Sequence, residues 1–444
     1  MSETHSYIDR DKTMEYAKRR KKVLELTKDD HPLIIIPGAI ETIRNGDNHY
    51  PFRQQSHFHY LTGFNEPNAI MLLAPQSSSD EYILFSQPYD EKHEIWCGIR
   101  AGQMGAVEKF GADSAYPVQE FWKKLPDFLS QYETIAIPLG FDLTFEKQLL
   151  STIHSLNHSK TKHKTTKIID IATYIDEMRV KKSPAEIAKI KEAVALSVEA
   201  HWVCMKHAKP NMYEYELEAM LMQTFYRNGC RQCAYLPIIG SGKNSCVLHY
   251  IHNNQQMLAG ELVLIDAGAE IENYAADITR TFPLEKSFNA PQRELYELVL
   301  IAQEAAITML KPGLEWSQIQ QTVVRKLTEG LCDLKILKGG VEENIEAGHY
   351  RQFYMHGAGH WLGLDVHDVG RYTQSGQSRL LEPGMVFTVE PGLYIRPDNN
   401  VDQQWWNIGI RIEDDILVTE NGYENLSMGL VKDIHDIEAI RRQS

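Results

Sequence analysis

Six cysteines among 444 residues are too few for a disulfide scaffold. No apolar run reaches the roughly 18 residues that a membrane-spanning helix needs, so no transmembrane segment is expected. The N-terminus, Met-Ser-Glu-Thr-His-Ser-Tyr-Ile-Asp-Arg-Asp, lacks an apolar segment, so no signal peptide is expected and a cytoplasmic location is the default. Basic charge is also short: 46 Lys and Arg face 60 Asp and Glu, giving a net charge of −14. That argues against a nucleic-acid binder, which normally carries a basic face. It is compatible with a substrate bearing a cationic amine. What remains is an ordinary globular composition, 43% hydrophobic and 24% charged, long enough for two or three domains and a large core.

Cys230-Arg-Gln-Cys233 is the one closely spaced cysteine pair. A zinc ribbon needs a second such pair, which the isolated Cys246 does not supply. A thioredoxin-like site needs a strand before the pair, whereas a helical run from Tyr213 to Asn228 precedes it and Gly229 closes that run. These cysteines are therefore read as small buried hydrophobes.

Residues 1–175 alternate short apolar strands with helical stretches. Strands are expected at Leu33–Ile36, Ala69–Leu73, Tyr82–Phe85 and Thr134–Ile137, each bounded by Pro, Gly or Ser. This pattern predicts an α/β domain with a mixed sheet. The polar, basic stretch Asn157–Lys167 has no interleaved aromatics and reads as a solvated loop near a domain junction. A second domain, 176–444, then opens with Ser183-Pro184-Ala-Glu186, a capping box with proline at the first helical position. Ile187, Ile190, Val194 and Val198 follow at helical spacing. Further helices are expected over Met212–Asn228 and Gln292–Leu310, and strands over Leu262–Ile265, Ala276–Phe282, Met385–Val389 and Ile408–Leu417.

Two of these apolar runs end in an acid. Glu261-Leu-Val-Leu-Ile-Asp266-Ala-Gly is followed by Ala275-Ala-Asp277-Ile-Thr-Arg280, and Met385-Val-Phe-Thr-Val-Glu390-Pro-Gly by Gly409-Ile-Arg411-Ile-Glu413. The two passages share one pattern: a turn, an apolar strand, an acid, then a small residue or proline. They read as a degenerate internal duplication, with Asp277 and Glu413 each placed in the following strand. Between them lies His356-Gly-Ala-Gly-His360-Trp-Leu-Gly-Leu-Asp-Val-His367. A carboxylate ending a buried strand is costly to desolvate unless it is paired or bound to metal. Four such acids and a histidine suit a two-metal hydrolase. His-Glu-x-x-His is absent, and Gly357 and Gly359 disfavour the helix which that single-zinc motif requires.

These residues resemble the pita-bread metallopeptidases, the group of methionine aminopeptidase, prolidase, creatinase and aminopeptidase P. Within it the whole chain is similar to the aminopeptidase P family, including Tyr50-Pro-Phe-Arg53 through Tyr60-Leu-Thr-Gly63-Phe-Asn-Glu-Pro-Asn68 and Glu94-Ile-Trp96-Cys-Gly-Ile-Arg100. Prolidase shares the domain layout, but there a longer segment usually joins the His-Asp-Val-Gly motif to the Glu strand. Here only Arg371–Leu381 separates Gly370 from Glu382.

The resemblance implies an N-terminal α/β domain of creatinase/prolidase type, serving oligomerisation and active-site access, before a pseudo-symmetric pita-bread catalytic domain. It implies two divalent ions, manganese by expectation, with Asp277 and Glu413 bridging. Asp266 would complete one coordination sphere, and His360 and Glu390 the other. A hydroxide bridging the ions would attack the Xaa-Pro bond and release the first residue, Glu390 shuttling the proton towards the leaving nitrogen. His367 and His249 would hydrogen-bond substrate and oxyanion. His356, Tyr394 and Arg411 would surround the proline-side pocket, with Asp47 and Trp96 as further substrate-binding positions. Arg411 is alternatively a residue that orients a ligand carboxylate. The implied substrates are peptides with proline second, and the implied assembly is a homodimer or homotetramer. Alternatives are a prolidase restricted to Xaa-Pro dipeptides and a catalytically silent binding protein.

Overall fold

The computed structural model describes residues 10–75, 80–158 and 165–443, side chains from residue 13 onwards. The N-terminal residues 1–9 and the centre of the polar stretch, 159–164, lie outside the described residues, so the readings placed on them are not addressed. The chain divides into two compact units, Met1–Met178 and Arg179–Ser444.

The N-terminal unit is built on a six-stranded sheet of β1 (Leu33–Pro37), β2 (Ile70–Leu73), β3 (Tyr82–Ser86), β4 (Ser114–Pro117), β5 (Thr134–Ile137) and β6 (Lys167–Asp170), in spatial order β4-β3-β2-β1-β5-β6. The β1–β2 and β2–β3 pairs are antiparallel and the others parallel, so the sheet is mixed. Central β1 is an unbroken apolar run, Leu33-Ile-Ile-Ile, because both of its faces are covered. On one face Leu33, Ile35, Leu72 and Phe85 pack with Phe121, Leu125 and Leu129 of α1 (Phe121–Leu129) and Leu149 and Ile153 of α2 (Leu143–Asn157).

In the C-terminal unit the capping box forms at the start of α3 (Pro184–His207): the Ser183 hydroxyl accepts the Glu186 N–H, and the Glu186 carboxylate accepts the Ser183 N–H. The buried face of α3 departs from the expected stripe. Ile190 and Val194 are buried, but Ile187 and Val198 are only half-buried, and Ala193, Ser197, Ala200 and His201 complete the face. Small residues there let the helix approach the strands closely. Helices α4 (Glu214–Arg227), α5 (Ala290–Thr308) and α6 (Trp316–Asp333) complete the shell; α6 was not anticipated.

Two three-stranded antiparallel sheets form the inside. One orders β9 (Thr279–Pro283), β8 (Leu262–Asp266) and β7 (Ile238–Ser241); the other orders β10 (Val386–Val389), β13 (Asp414–Thr419) and β14 (Gly422–Asn425). A separate pair joins β11 (Gly392–Ile395) to β12 (Ile408–Arg411). The duplication read from the sequence is visible here. In one half Asp266 ends β8 opposite Thr279, and in the other Glu390 follows Val389, which pairs with Asp414. The halves meet where Thr279 bridges Glu413, whose N–H donates to the Thr279 carbonyl at 3.1 Å.

Two strand expectations are corrected. Asp277 lies in a connection before β9, so the strand expected over Ala276–Phe282 begins only at Thr279. Ala275 pairs with Glu270 in a short separate ribbon, and Ala276 and Ile278 are buried without belonging to a strand. The run Ile408–Leu417 is two strands in two sheets, interrupted at Ile412 and Glu413. Both acids therefore sit at gaps in the ladders, where a carboxylate can turn inward.

Candidate metal centre

Asp266, Asp277, His360, Glu390 and Glu413 all line one cavity of about 690 Å³, together with Tyr235, His249, His356, His367 and Arg411. Two glycines make the approach possible. A Cβ on Gly268 would stand 1.7 Å from the Ala276 carbonyl oxygen, and one on Gly359 would stand 1.8 Å from that of Thr388. Only a residue without a side chain lets the Asp266 turn press against the Asp277 segment, and the His360 loop against β10. The Thr388 hydroxyl then accepts the His360 N–H at 3.1 Å and reaches Glu390 Oε1 at 3.3 Å.

The five groups crowd one another. His360 Nε2 lies 3.3 Å from Asp277 Oδ2 and 3.5 Å from Glu390 Oε1. Burial, reinforced by neighbouring carboxylates, lifts the Glu413 carboxyl well above the usual carboxylate range and Glu390 to about 7; Asp277 is raised by burial and by Asp266. Burial alone would depress His360, but Asp277 and Glu390 overcome it and lift the imidazole to about 9. Such a cluster binds cations, either protons or a metal. Asp277, His360 and Glu413 each present a ligand atom, and those atoms lie within 4.8 Å of one another. An oxygen-rich set with one imidazole suits hard or borderline divalent ions, so the residues fit the metal that the sequence implies.

Neighbouring side chains hold the acids. Arg411 is nearly fully buried; its guanidinium donates to Asp266 Oδ2 at 2.5 Å, to the Tyr394 hydroxyl at 2.9 Å and to the Thr279 hydroxyl at 3.1 Å. Thr279 in turn donates to Glu413 Oε2 at 2.5 Å. The Tyr235 hydroxyl, unforeseen from the sequence, lies 2.5 Å from both Asp266 Oδ1 and Asp277 Oδ1. Burial and those two carboxylates push its own pKa well above the usual phenol value, so it stays a proton donor.

His249 and His367 are exposed on the cavity wall, His367 edge-on to His360 with ring centroids 4.3 Å apart. His356 is held neutral, its pKa lowered to about 4 by burial and by Arg411, and its Nε2 lies 2.9 Å from the Tyr394 hydroxyl. Tyr394 itself is 1% exposed and stands behind the wall, its hydroxyl engaged by Arg411 and His356. Asp47 and Trp96 belong to the N-terminal unit. Asp47 is exposed in a turn, and Trp96 is 87% exposed on the helix Glu91–Cys97. The Cys230 and Cys233 thiols are engaged locally, Cys230 with the carbonyls of Gln232 and Glu270 and Cys233 with the Met222 sulfur. Burial raises both pKa values, Cys233 to about 12, which leaves them unreactive.

Comparison with known proteins meets this geometry. Residues 188–420 match the family described as "Metallopeptidase family M24", and residues 16–137 match "Aminopeptidase P, N-terminal domain". The chain belongs to metallopeptidase family M24. As an M24 chain it is similar to the Xaa-Pro aminopeptidase of Escherichia coli strain K12, 43% identical, with 96% of this chain and 97% of that protein covered. Among solved structures it resembles the Pseudomonas aeruginosa aminopeptidase PepP, with a TM-score of 0.94 and 41% identity over 97% of this chain and 98% of that one. It also resembles zinc-substituted E. coli aminopeptidase P in complex with product, with a TM-score of 0.93 and 42% identity over 97% and 98% of the two chains. The mixed α/β N-terminal unit carries the aminopeptidase P N-terminal domain, and the C-terminal unit carries the M24 pita-bread domain.

Proposed function

We propose that this chain is an Xaa-Pro aminopeptidase, a metal-dependent hydrolase that releases the first residue from peptides with proline in second position. The observation that carries the reading is the convergence of Asp266, Asp277, His360, Glu390 and Glu413 on one cavity, in a chain 43% identical over almost its whole length to an enzyme of that name. Asp266, Asp277, His360, Glu390 and Glu413 would together hold two divalent ions. We take manganese as the ion. When bound, the ions supply Lewis acidity and lower the pKa of a water.

The remaining chemistry belongs to the side chains. An Xaa-Pro bond has no N–H to grip and a φ held near −65°, so the substrate must be fixed through its carbonyl, its amine and its ring. His249 and His367 face the cavity and would donate to the substrate carbonyl. Glu390, on the cavity wall, would take a proton at its carboxylate and return it to the departing proline nitrogen. Arg411 and Tyr235 keep Asp266 and Asp277 from swinging into alternative rotamers. Neutral His356 would border the proline ring, with Tyr394 bracing it from behind.

Ile95, Trp96 and Ile99 are 79%, 87% and 87% exposed, which supports a homodimer or homotetramer buried over that surface. We assign Trp96 and Asp47 to substrate binding on the strength of the family resemblance, and a cytoplasmic setting likewise. No helix among the described residues is long and apolar enough to cross a membrane. Hydrolysis of an Xaa-Pro-Yaa tripeptide beside an Xaa-Pro dipeptide tests the substrate class. Preferred cleavage of the tripeptide is expected; cleavage of the dipeptide alone would contradict it.

A further inference from the structure

Both glutamates of the site lie in a gap between two ladders. Val389 makes the last pair of β10 with β13, and Gly392 with Arg411 the first pair between β11 and β12. Glu390 and Glu413 occupy the residues left between, where the strands must diverge to leave room for ligands. Backbone carbonyls at such a break are buried and need donors from elsewhere.

Gln303, on α5 and 0% exposed, meets that need. Its single carboxamide nitrogen donates to the carbonyl of Val389 at 3.2 Å and to that of Ile412 at 3.2 Å, the residues immediately before Glu390 and Glu413. Its oxygen accepts from Lys432 Nζ at 2.7 Å. Lys432 also binds Asp414 Oδ2 at 2.6 Å, and Arg280 binds Asp414 Oδ1 at 2.7 Å while donating to the Glu413 carbonyl at 2.6 Å. Gln303 thus ties one strand to the other across the gap, and the Lys432–Asp414–Arg280 chain fixes Gln303.

We propose that Gln303 is a positioning residue that sets the spacing between Glu390 and Glu413 and through it the affinity for the metal ions. The proposal rests on the metal-site reading above. A carboxamide carries two N–H donors and an acceptor, which is what two carbonyls and an ammonium require together. Methionine keeps the volume but removes both donors. Glutamate keeps the Lys432 contact but turns acceptor oxygens towards two carbonyls.

The test is calorimetric titration of manganese into chelator-stripped wild type, Gln303→Met, Gln303→Glu and Leu327→Ala. Leu327 is buried on α6, makes none of the hydrogen bonds of the Gln303 network, and controls for a general loss of stability. Kinetics on an Xaa-Pro-Yaa peptide accompany the titrations. The expected result is manganese binding about tenfold or more weaker in the Gln303 variants, with Leu327→Ala close to wild type despite a lower Tm. KM should stay within about twofold while kcat falls, because the substrate contacts are untouched. If one Gln303 variant fails to fold, the other decides. Wild-type-like affinity in any folded Gln303 variant overturns the inference. A wild type that binds no manganese instead overturns the metal-site reading on which it rests.

Discussion

Arg411 Nη2 lies 2.5 Å from Asp266 Oδ2, joining a nearly fully buried cation to one acid of the candidate metal centre. The same guanidinium reaches Tyr394 and Thr279, so three partners fix its plane. Lysine carries the charge but not the fork, and cannot serve the three together. Arg411→Lys is therefore expected to lower kcat/KM by about 10–100-fold, the usual cost of disturbing a ligand's own partner. Steady-state kinetics check it; a loss below about twofold would mean that charge alone suffices.

Tyr235 offers one hydroxyl to Asp266 and Asp277. Tyr235→Phe keeps the ring and deletes the donor, leaving Asp266 to Arg411 and Asp277 to His360 alone. Metal affinity and kcat are each expected to fall about tenfold with the fold intact. Calorimetry and circular dichroism on the same sample separate these effects.

Protonation and metal compete for this site. Glu390 ionises at about 7 and His360 at about 9 in the metal-free protein. Both folded values exceed those of the unfolded chain, so each group contributes stability that is fully present below its unfolded pKa and lost as pH rises through its folded one. The metal-free protein should therefore lose stability between about pH 4.5 and pH 9, Glu390 over the lower part and His360 over the upper, while metal affinity rises over the same interval as protons leave the ligands. Melting curves with and without manganese across that range test both signs. A metal-free Tm that climbs with pH would contradict the assignment.

The His367 loop has its own anchor. Arg179 donates to Asp368 at 2.5 Å and to Asp365 at 2.7 Å, and Lys182 Nζ lies 3.1 Å from Asp368 Oδ2. Arg179, Lys182 and Asp368 are each nine-tenths or more buried. Removing one partner of a buried pair strands the other charge. Arg179→Met should cost about 3 kcal/mol, the lower end of that range because Lys182 remains. It should also lower kcat, since His367 adjoins Asp368. Thermal unfolding and kinetics measured together would show both losses; an unchanged Tm would sink the argument.

Asp266 and Glu390 were legible as cavity acids because each ends an apolar run where charge has no other business, and the fold class followed from strand punctuation and one capping box. The residues around the acids were not. Tyr235 follows an irregular cysteine-bearing segment with no periodicity to mark it, and Gln303 reads as one more polar position on an amphipathic helix. Asp277 was placed in a strand because its neighbours Ala276 and Ile278 are apolar, but both are buried in a connection outside any strand. Tyr394 reads as a pocket residue, yet pairing of β11 with β12 sets its hydroxyl against Arg411. Contacts between distant segments decide such positions, and a single sequence carries no local trace of them.

The most direct measurement is hydrolysis of Xaa-Pro-Yaa and Xaa-Ala-Yaa peptides by chelator-stripped protein, before and after manganese is restored. Cleavage confined to the proline peptide, absent in the stripped protein and regained with the ion, is the predicted result. Cleavage that survives chelation, or no cleavage of either peptide by folded, manganese-bound protein, would contradict it.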